Sequence, residues 1–257
     1  MRGRRSVVAG LAVAALVLVA AAIGRFSPSS PKRPNANIGT TLDQPLPSWA
    51  TSIVFTDDFG KKTTLGAFTG KTVVLVPFMT LCQETCPLTT TNLATMDTSV
   101  LNARQENNVQ IVEITIDPER DTVRQLDAYR AVAQLLQPNW SLLTAAPADL
   151  SRLWTLLGVD VEKTAPAPGA VNWLGGAPLT YDLTHTDEVF FFDKSGRERF
   201  LIDGAPNTKG VLPSPVLDKF LNENGQTNLM NPDASTWTAD DATASLAWVL
   251  GKHLKSP

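Results

Sequence analysis

The two cysteines of this sequence, Cys82 and Cys86, both lie in the stretch LVPFMTLCQETCPLTT. Three residues separate them, whereas redox-active pairs are usually spaced as C-x-x-C. If the segment from Cys82 onward is helical, the two positions share one face and their Cβ atoms lie about 5–6 Å apart. This separation allows a disulfide after a modest adjustment, and it equally allows two thiolates to bind one metal ion. The positive end of a helix would stabilise a thiolate in either case.

Three roles for the pair can be weighed against each other. A purely structural disulfide is the weakest, because it would close a very short loop and add little stability. Thiol–disulfide exchange is stronger, since thioredoxin-like proteins also carry a cysteine pair after a buried strand. In those proteins a cis-proline faces the thiols, whereas here that place holds His185 and the nearest proline is Pro178. A peroxiredoxin-type peroxidase is disfavoured, because Pro77, Thr80 and Cys82 lie too close together.

A metal site needs a third ligand, and the chain has two histidines, His185 and His253. His253 lies beside Lys252 near the C-terminus, which predicts a solvated side chain. His185 comes just before a candidate buried strand, opposite the predicted tip of the helix that carries the cysteines, so it is the candidate ligand. Two thiolates and an imidazole form a soft set that favours copper, with zinc next. Three protein ligands would leave an open position through which the metal could be passed on.

The elements around the cysteines predict where this chemistry lies. KTVVLVPFM is a continuous apolar run typical of a strand buried on both faces, and Cys82 follows it directly. The next helix has Leu93, Met96 and Val100 on one stripe, and residues 109–116 form a second buried strand. A right-handed crossover would put both cysteines at the carboxyl end of a central strand, where open α/β sheets carry their active sites.

The rest of the chain continues the alternation of strands and helices. The pattern predicts an α/β sandwich with a mixed central β-sheet and flanking helices. Its further elements are a hairpin turning at Gly60, a helix with Asp121 as its N-cap, a strand at 140–143, a helix ended by Gly158, a hairpin over 188–202 and a last helix opened by Thr238.

The N-terminal part predicts export. Residues 1–25 carry four arginines, no acid and an apolar run from Val7 to Gly24, so we expect a signal peptide or a transmembrane signal anchor. Arginines before the run would keep that end in the cytoplasm and place the rest outside the cell membrane. Residues 26–50, rich in Pro and Ser, predict a semi-rigid linker that cannot hold a helix or a central strand. Residues 51–257 predict one domain with insertions near 160–180 and 204–236. The acidic remainder of the chain argues against nucleic acid as a partner.

Several segments, in order along the chain, resemble the Sco/SenC family, thioredoxin-like copper proteins that help to assemble cytochrome c oxidase. They are FTDDFGKKTTLGAFTGKTVVLV, CQETCP, ITIDPERDTVRQLDAY, WSLLTAAPADLSRLWTLLGV and LTHTDEVFFFDKSGRERF. The resemblance covers roughly residues 50–203 and the last helix. The sequence differs from the family pattern at the cysteine pair. Family members often have C-P-D-x-C-P, whereas Gln83 and Glu84 follow the first cysteine here.

The resemblance implies a ligand set and a function. One copper ion, Cu⁺ or Cu²⁺, would be bound by Cys82, Cys86 and His185, with the two cysteines also forming a redox-active pair. Asp117, Arg120 and Asp121 would form ion pairs and cap a helix rather than bind metal.

The implied task is to deliver copper to the dinuclear copper site of cytochrome c oxidase, or to reduce that site's cysteines. The implied partners are the copper-site subunit of the oxidase, other copper chaperones or thioredoxin-like reductants, and the membrane through the N-terminal segment. Two alternatives stay open at this point: a thiol–disulfide oxidoreductase that carries no physiological copper, and a redox or copper sensor. Whether the chain is an enzyme depends on that choice, and a metallochaperone is the favoured expectation.

Overall fold

The structure, a computed structural model, describes residues 29–212, 214–232 and 236–256. Within these residues ten strands follow one another: β1 (Gly39–Pro45), β2 (Phe55–Asp57), β3 (Lys62–Thr63), β4 (Thr72–Phe78), β5 (Val109–Thr115), β6 (Trp140–Thr144), β7 (Val161–Thr164), β8 (Asp182–His185), β9 (Glu188–Phe192) and β10 (Arg197–Asp203). Eight of them form one sheet in the order β1-β10-β9-β4-β5-β6-β2-β3, and β7 pairs with β8 in a separate two-stranded sheet.

Seven α-helices lie between and after the strands of the described residues. They are α1 (Ser48–Thr51), α2 (Cys86–Asn102), α3 (Val123–Val132), α4 (Pro147–Leu157), α5 (Pro215–Phe220), α6 (Glu223–Met230) and α7 (Ala239–Leu250). Helix α2 packs against α7, and α7 also contacts β4, β9 and β10. Helix α3 packs against β6 and β2.

The middle of the sheet is parallel and fully enclosed. Strand β4 pairs in parallel with β5, and β5 with β6, whereas β4 pairs antiparallel with β9. Every residue of β5 and β9 is buried, which explains why neither strand shows the apolar–polar alternation of a half-exposed strand. The α2 stripe of Leu93, Met96 and Val100 lies fully buried in this core. The predicted α/β sandwich with a mixed sheet and flanking helices is therefore confirmed.

The predicted linker over 26–50 is wrong in its C-terminal part. Strand β1 pairs antiparallel with β10, and helix α1 follows it. A proline is readily tolerated on an edge strand, and Pro45 is the last residue of β1, which lies at the edge of the sheet. The first residue of β1 must be a glycine, because a Cβ at Gly39 would lie 2.1 Å from the carbonyl oxygen of Leu201.

The N-cap predicted at Asp121 is also wrong. Thr122 caps α3, because its side chain accepts a hydrogen bond from the amide of Gln125. Asp121 is instead completely buried and accepts hydrogen bonds from the hydroxyl groups of Thr80 and Thr115. The other terminal predictions hold: Gly158 ends α4 in the left-handed conformation, and Thr238 opens α7 with a capping box.

Both predicted insertions contain ordered elements. The segment 160–180 provides β7 and an isolated bridge between Val171 and Pro178, and the segment 204–236 provides α5 and α6. The predicted signal or anchor, residues 1–25, lies outside the described residues. Within the residues that the structure does describe, no helix is both long enough and apolar enough to cross a membrane.

Candidate metal centre

The two cysteines lie at the junction between β4 and α2. Beyond the end of β4 a turn forms in which the amide of Cys82 donates to the carbonyl of Met79, at 3.3 Å. Helix α2 begins only at Cys86, with Pro87 in its first turn, where a proline is well accommodated. The sequence-based premise that Cys82 is itself helical is therefore wrong.

Cys82 nevertheless stays close to Cys86, because its sulfur lies at the helix N-terminus. The amide of Cys86 donates to Sγ of Cys82 at 3.3 Å. The sulfur thus takes the place of an N-capping group and accepts one of the amide hydrogens that the helix itself leaves without a partner. Both sulfurs are buried, and both cysteines are reduced.

His185 reaches the sulfurs from the end of β8. Its Nε2 lies 3.4 Å from Sγ of Cys86, and its Nδ1 lies 2.8 Å from the carbonyl oxygen of Thr186. A carbonyl can only accept, so in the neutral imidazole the hydrogen is on Nδ1 and Nε2 keeps a free lone pair. This is the tautomer that a metal-binding histidine requires, with its second nitrogen oriented by a backbone carbonyl.

The three side chains form a set that fits a metal ion. One ligand atom each from Cys82, Cys86 and His185 lies within 4.8 Å of the others, and no second such set occurs among the described residues. Three atoms within 4.8 Å of one another lie at most about 2.8 Å from a common centre, so a shift of at most about 0.8 Å per ligand brings all three to bonding distances of about 2.0–2.3 Å. The structure therefore brings together the three residues predicted as ligands.

The charges of the three side chains are strongly coupled. Hydrogen bonding with Cys86, and then with His185, holds the pKa of Cys82 well below its usual range although burial opposes this. Burial and the neighbouring Cys82 sulfur raise the pKa of Cys86 well above its usual range. Burial lowers the pKa of His185, but its interaction with the nearby Cys82 sulfur and the charge of Asp187 outweigh it and raise that pKa to about 9. The directions of these shifts favour a thiolate at Cys82, a protonated His185 and a neutral thiol at Cys86 in the metal-free site.

An acidic cleft of about 120 Å³ opens onto the site. Its lining includes the carboxylates of Glu84, Asp182 and Asp187 together with Cys82 and His185. Burial raises the pKa values of Asp182 and Asp187. A larger cleft of about 430 Å³ lies next to it along β8, and neither a cysteine nor a histidine lines it.

Two residues for which the sequence did not predict this role, Trp173 and Asp121, hold the segment in front of Cys82. Trp173, in the first insertion, donates from Nε1 to the carbonyl oxygen of Thr80 at 2.8 Å. Asp121 accepts from both the amide and the hydroxyl of the same Thr80. Neither contact was recognisable in the sequence, because both partners lie more than 40 residues from Thr80.

Other contacts orient the histidine. Val161 of β7 pairs with His185 of β8, and the hydroxyl of Thr85 donates to Asp187 at 2.9 Å, which ties the cysteine segment to the histidine segment. The first insertion therefore supplies a strand that positions His185.

The Asp117–Arg120 ion pair is present, and it supports β8 rather than a metal. Arg120 donates to the carbonyl oxygen of Tyr181 at 2.7 Å and lies over its ring, and the Tyr181 hydroxyl donates to Asp117 at 2.7 Å. Tyr181 immediately precedes β8, the strand that ends at His185. The second histidine, His253, is exposed near the C-terminus and lies outside the metal-ligand set.

Comparison with known proteins agrees with this arrangement. Residues 46–213 match the family model described as SCO1/SenC. A protein of Bacillus subtilis described as a SCO1 protein homolog is 27% identical over 107 residues, which cover 41% of this chain; the chain thus spans about half the length of this curated relative, 54% of it.

Two solved structures show the same fold. The solution structures of apo Sco1 from Thermus thermophilus match with a TM-score of 0.53 and 23% identity, covering 81% of this chain and 94% of that one. The structure of BsSco, described as a member of the Sco family of cytochrome c oxidase assembly proteins with a disulfide switch, matches with a TM-score of 0.51 and 17% identity, covering 81% and 97%. Because the family model accounts for well over half of the chain, the chain belongs to the SCO1/SenC family.

Proposed function

We propose that this protein binds one copper ion through Cys82, Cys86 and His185 and passes it to the copper site of a terminal oxidase. The observation that carries the proposal is the approach of two cysteine sulfurs and an imidazole nitrogen to within 4.8 Å of one another. Two thiolates and an imidazole are soft donors, which favour copper over harder divalent ions such as magnesium or calcium. Membership of the SCO1/SenC family supports the same metal.

Copper would be cargo rather than a permanent cofactor. Three protein ligands leave room for a fourth donor from a partner, which is the arrangement that a transfer between two proteins needs. The carboxylates of Glu84, Asp182 and Asp187 around the cleft would attract a cation or a positively charged partner surface. The related BsSco is described as belonging to cytochrome c oxidase assembly proteins, and the corresponding partner here would be the copper-site subunit of cytochrome c oxidase.

The proposed location is outside the cytoplasmic membrane. The apolar run and the arginines of residues 1–25 would anchor the chain by a single N-terminal segment, or would direct its export if they are cleaved. Further partners there would be other copper chaperones and thioredoxin-like reductants, because copper can bind only while both cysteines are reduced.

A thiol–disulfide oxidoreductase is the second candidate, and one observation favours it. Sγ of Cys82 accepts from the first amide of α2 and has a pKa well below its usual range, as an attacking thiolate in such enzymes does. Disulfide formation and copper binding use the same sulfurs, so the two activities exclude each other at any moment. Copper affinity decides between them.

The test is a competition titration of the reduced protein with Cu⁺ and Cu²⁺, alongside Cys82→Ser, Cys86→Ser and His185→Ala. His253→Ala is the matched control, because it removes the other histidine. We expect each ligand variant to lose at least about tenfold in affinity, or about 1.4 kcal/mol, and the control to bind as the wild type does. A His185→Ala variant with wild-type affinity would refute the three-ligand site. A reduced wild-type protein that binds copper no more tightly than micromolar would favour the oxidoreductase.

A further inference from the structure

The segment between the two cysteines, Gln83–Glu84–Thr85, contains no proline and belongs to neither a helix nor a strand. Its own sequence therefore does little to fix its backbone. Both functions considered above nevertheless need Cys82 and Cys86 to stay close together. Some other part of the protein must therefore hold this segment in place.

Helices α5 and α6, both C-terminal to the family match at 46–213, contact the backbone of the segment. The amide of Asn222 donates to the carbonyl oxygen of Gln83 at 3.0 Å, and the side chain of Gln83 donates to the carbonyl oxygen of Phe220 at 3.1 Å. The approach is so close that a Cβ at Gly225 would lie 2.2 Å from the Gln83 oxygen. Glycine is therefore required at position 225.

Asn222 also holds the side chain of Glu84. Its Nδ2 donates to Oε1 of Glu84 at 2.8 Å, and Nδ2 of Asn224 donates to the same oxygen at 3.1 Å. The remaining oxygen of Asn222, Oδ1, accepts from the amide of Gly225 at 2.8 Å and so caps α6. One side chain therefore joins the start of α6 to the segment between the cysteines.

Apolar packing fixes the same junction on its helical side. Leu88, in the first turn of α2, is completely buried in a small cluster with Leu221 and Leu229, apart from the main core. These contacts and the hydrogen bonds of Asn222 lie on either side of Cys86. The α5–α6 segment thus holds both the loop before α2 and the first turn of the helix.

We propose that Asn222 is a positioning residue for the dithiol, and that the α5–α6 segment keeps the sulfurs of Cys82 and Cys86 near each other. At that separation the two sulfurs can bind one metal ion or form a disulfide. A mobile segment would lose conformational entropy each time the sulfurs bind a metal or form a disulfide. A segment that is already ordered avoids this entropy cost. The part of the proposal that concerns copper binding rests on the proposed function. The part that concerns disulfide formation needs no metal.

The variant that isolates the contact is Asn222→Ser. Serine is uncharged and still caps a helix well, but it is too short to reach Glu84. Gln226→Ala is the matched control on the same helix, because the side chain of Gln226 bonds only to Asp218 within the α5–α6 segment. The double variant Asn222→Asp with Glu84→Gln restores the hydrogen bond with donor and acceptor exchanged, and keeps the net charge of the wild type.

The first readout is the midpoint potential of the Cys82–Cys86 couple in the metal-free full-length chain, measured against glutathione. Each oxidation forms one S–S bond, and the two thiols give two electrons and two protons to one oxidised glutathione, which becomes two reduced molecules. We expect Asn222→Ser to make disulfide formation about tenfold less favourable, which is a potential about 30 mV more positive. The second readout is Cu⁺ affinity, which we expect to fall about tenfold as well.

Gln226→Ala and the exchanged pair should both match the wild type. A potential for Asn222→Ser that equals that of the wild type, or that Gln226→Ala reproduces, would overturn the proposal. So would an exchanged pair that folds yet behaves like Asn222→Ser. If the wild type fails to bind copper while the potential still shifts as expected, the copper function fails and the positioning role stands.

Discussion

Replacing Asp121 by Asn should change how stability depends on pH. Burial, opposed by hydrogen bonds from Thr115 and Thr80, raises the pKa of Asp121 from 3.8 to about 7. Between pH 4 and 7 the folded protein therefore keeps a proton that the unfolded chain has released. A carboxyl of this kind favours folding fully below pH 4, and this contribution is lost as pH rises through 7.

The magnitude follows from that range. Between pH 5 and about pH 7 the free energy of unfolding should fall by about 1.4 kcal/mol per pH unit on account of Asp121, or about 3 kcal/mol in all. Asparagine is nearly isosteric, can still accept from the amide of Thr80, and does not titrate. The Asp121→Asn variant should therefore lack this decline. Relative to the wild type, its free energy of unfolding should rise by about 3 kcal/mol between pH 5 and pH 8.

The assay is urea unfolding of the reduced, metal-free protein at pH 5 and pH 8, monitored by tryptophan fluorescence. Other buried carboxyls also have raised pKa values, among them Glu113 at about 7, so the informative quantity is the difference between variant and wild type. Asp127→Asn, an exposed exchange on α3, is the control and should run parallel to the wild type. Parallel curves for Asp121→Asn as well would show that Asp121 has the same pKa in the folded and unfolded states, which would refute the reasoning.

Copper affinity should rise with pH, because binding must displace one proton from Cys86, whose pKa is raised well above its usual range, and one from His185, whose pKa is about 9. Between pH 7 and 8 the logarithm of the association constant should increase by about two per pH unit, and above about pH 9 by about one; a competition titration corrected for the competitor's own protonation measures this, and a slope below one would contradict it. Trp173→Phe keeps an aromatic ring but removes the donor to the Thr80 carbonyl oxygen, so the free energy of unfolding should fall by about 1 kcal/mol. Denaturant unfolding tests this second prediction, and unchanged stability would mean that the Trp173 hydrogen bond contributes nothing in water.

Local patterns were enough to predict the central part of the fold. A continuous apolar run predicted β4, mainly apolar stretches predicted β5 and β9, and glycine predicted the end of α4 at Gly158. These features depend on residues close in sequence. The strand β1 was missed because it depends on a partner, β10, that lies more than 150 residues away, and because the prolines of the surrounding segment 26–50 favoured a linker.

The site shows the same division. The residue types and order of Cys82, Cys86 and His185 were enough to propose a metal site, but not its geometry. Helix α2 begins four residues later than the spacing argument assumed, and Asp121 holds Thr80 rather than capping α3. Both errors arose because tertiary partners satisfied groups for which the sequence offered a local explanation.

The three ligands are each positioned by a different remote contact. Cys82 follows a segment held by Asp121 and Trp173, and Cys86 lies beside the contacts of α5 and α6. His185 ends a strand whose partner is β7. Because none of these supports is part of the C-x-x-x-C sequence itself, the spacing of the cysteines alone determines neither copper affinity nor redox potential. Changes at the supports should therefore alter these two properties while every ligand stays in place.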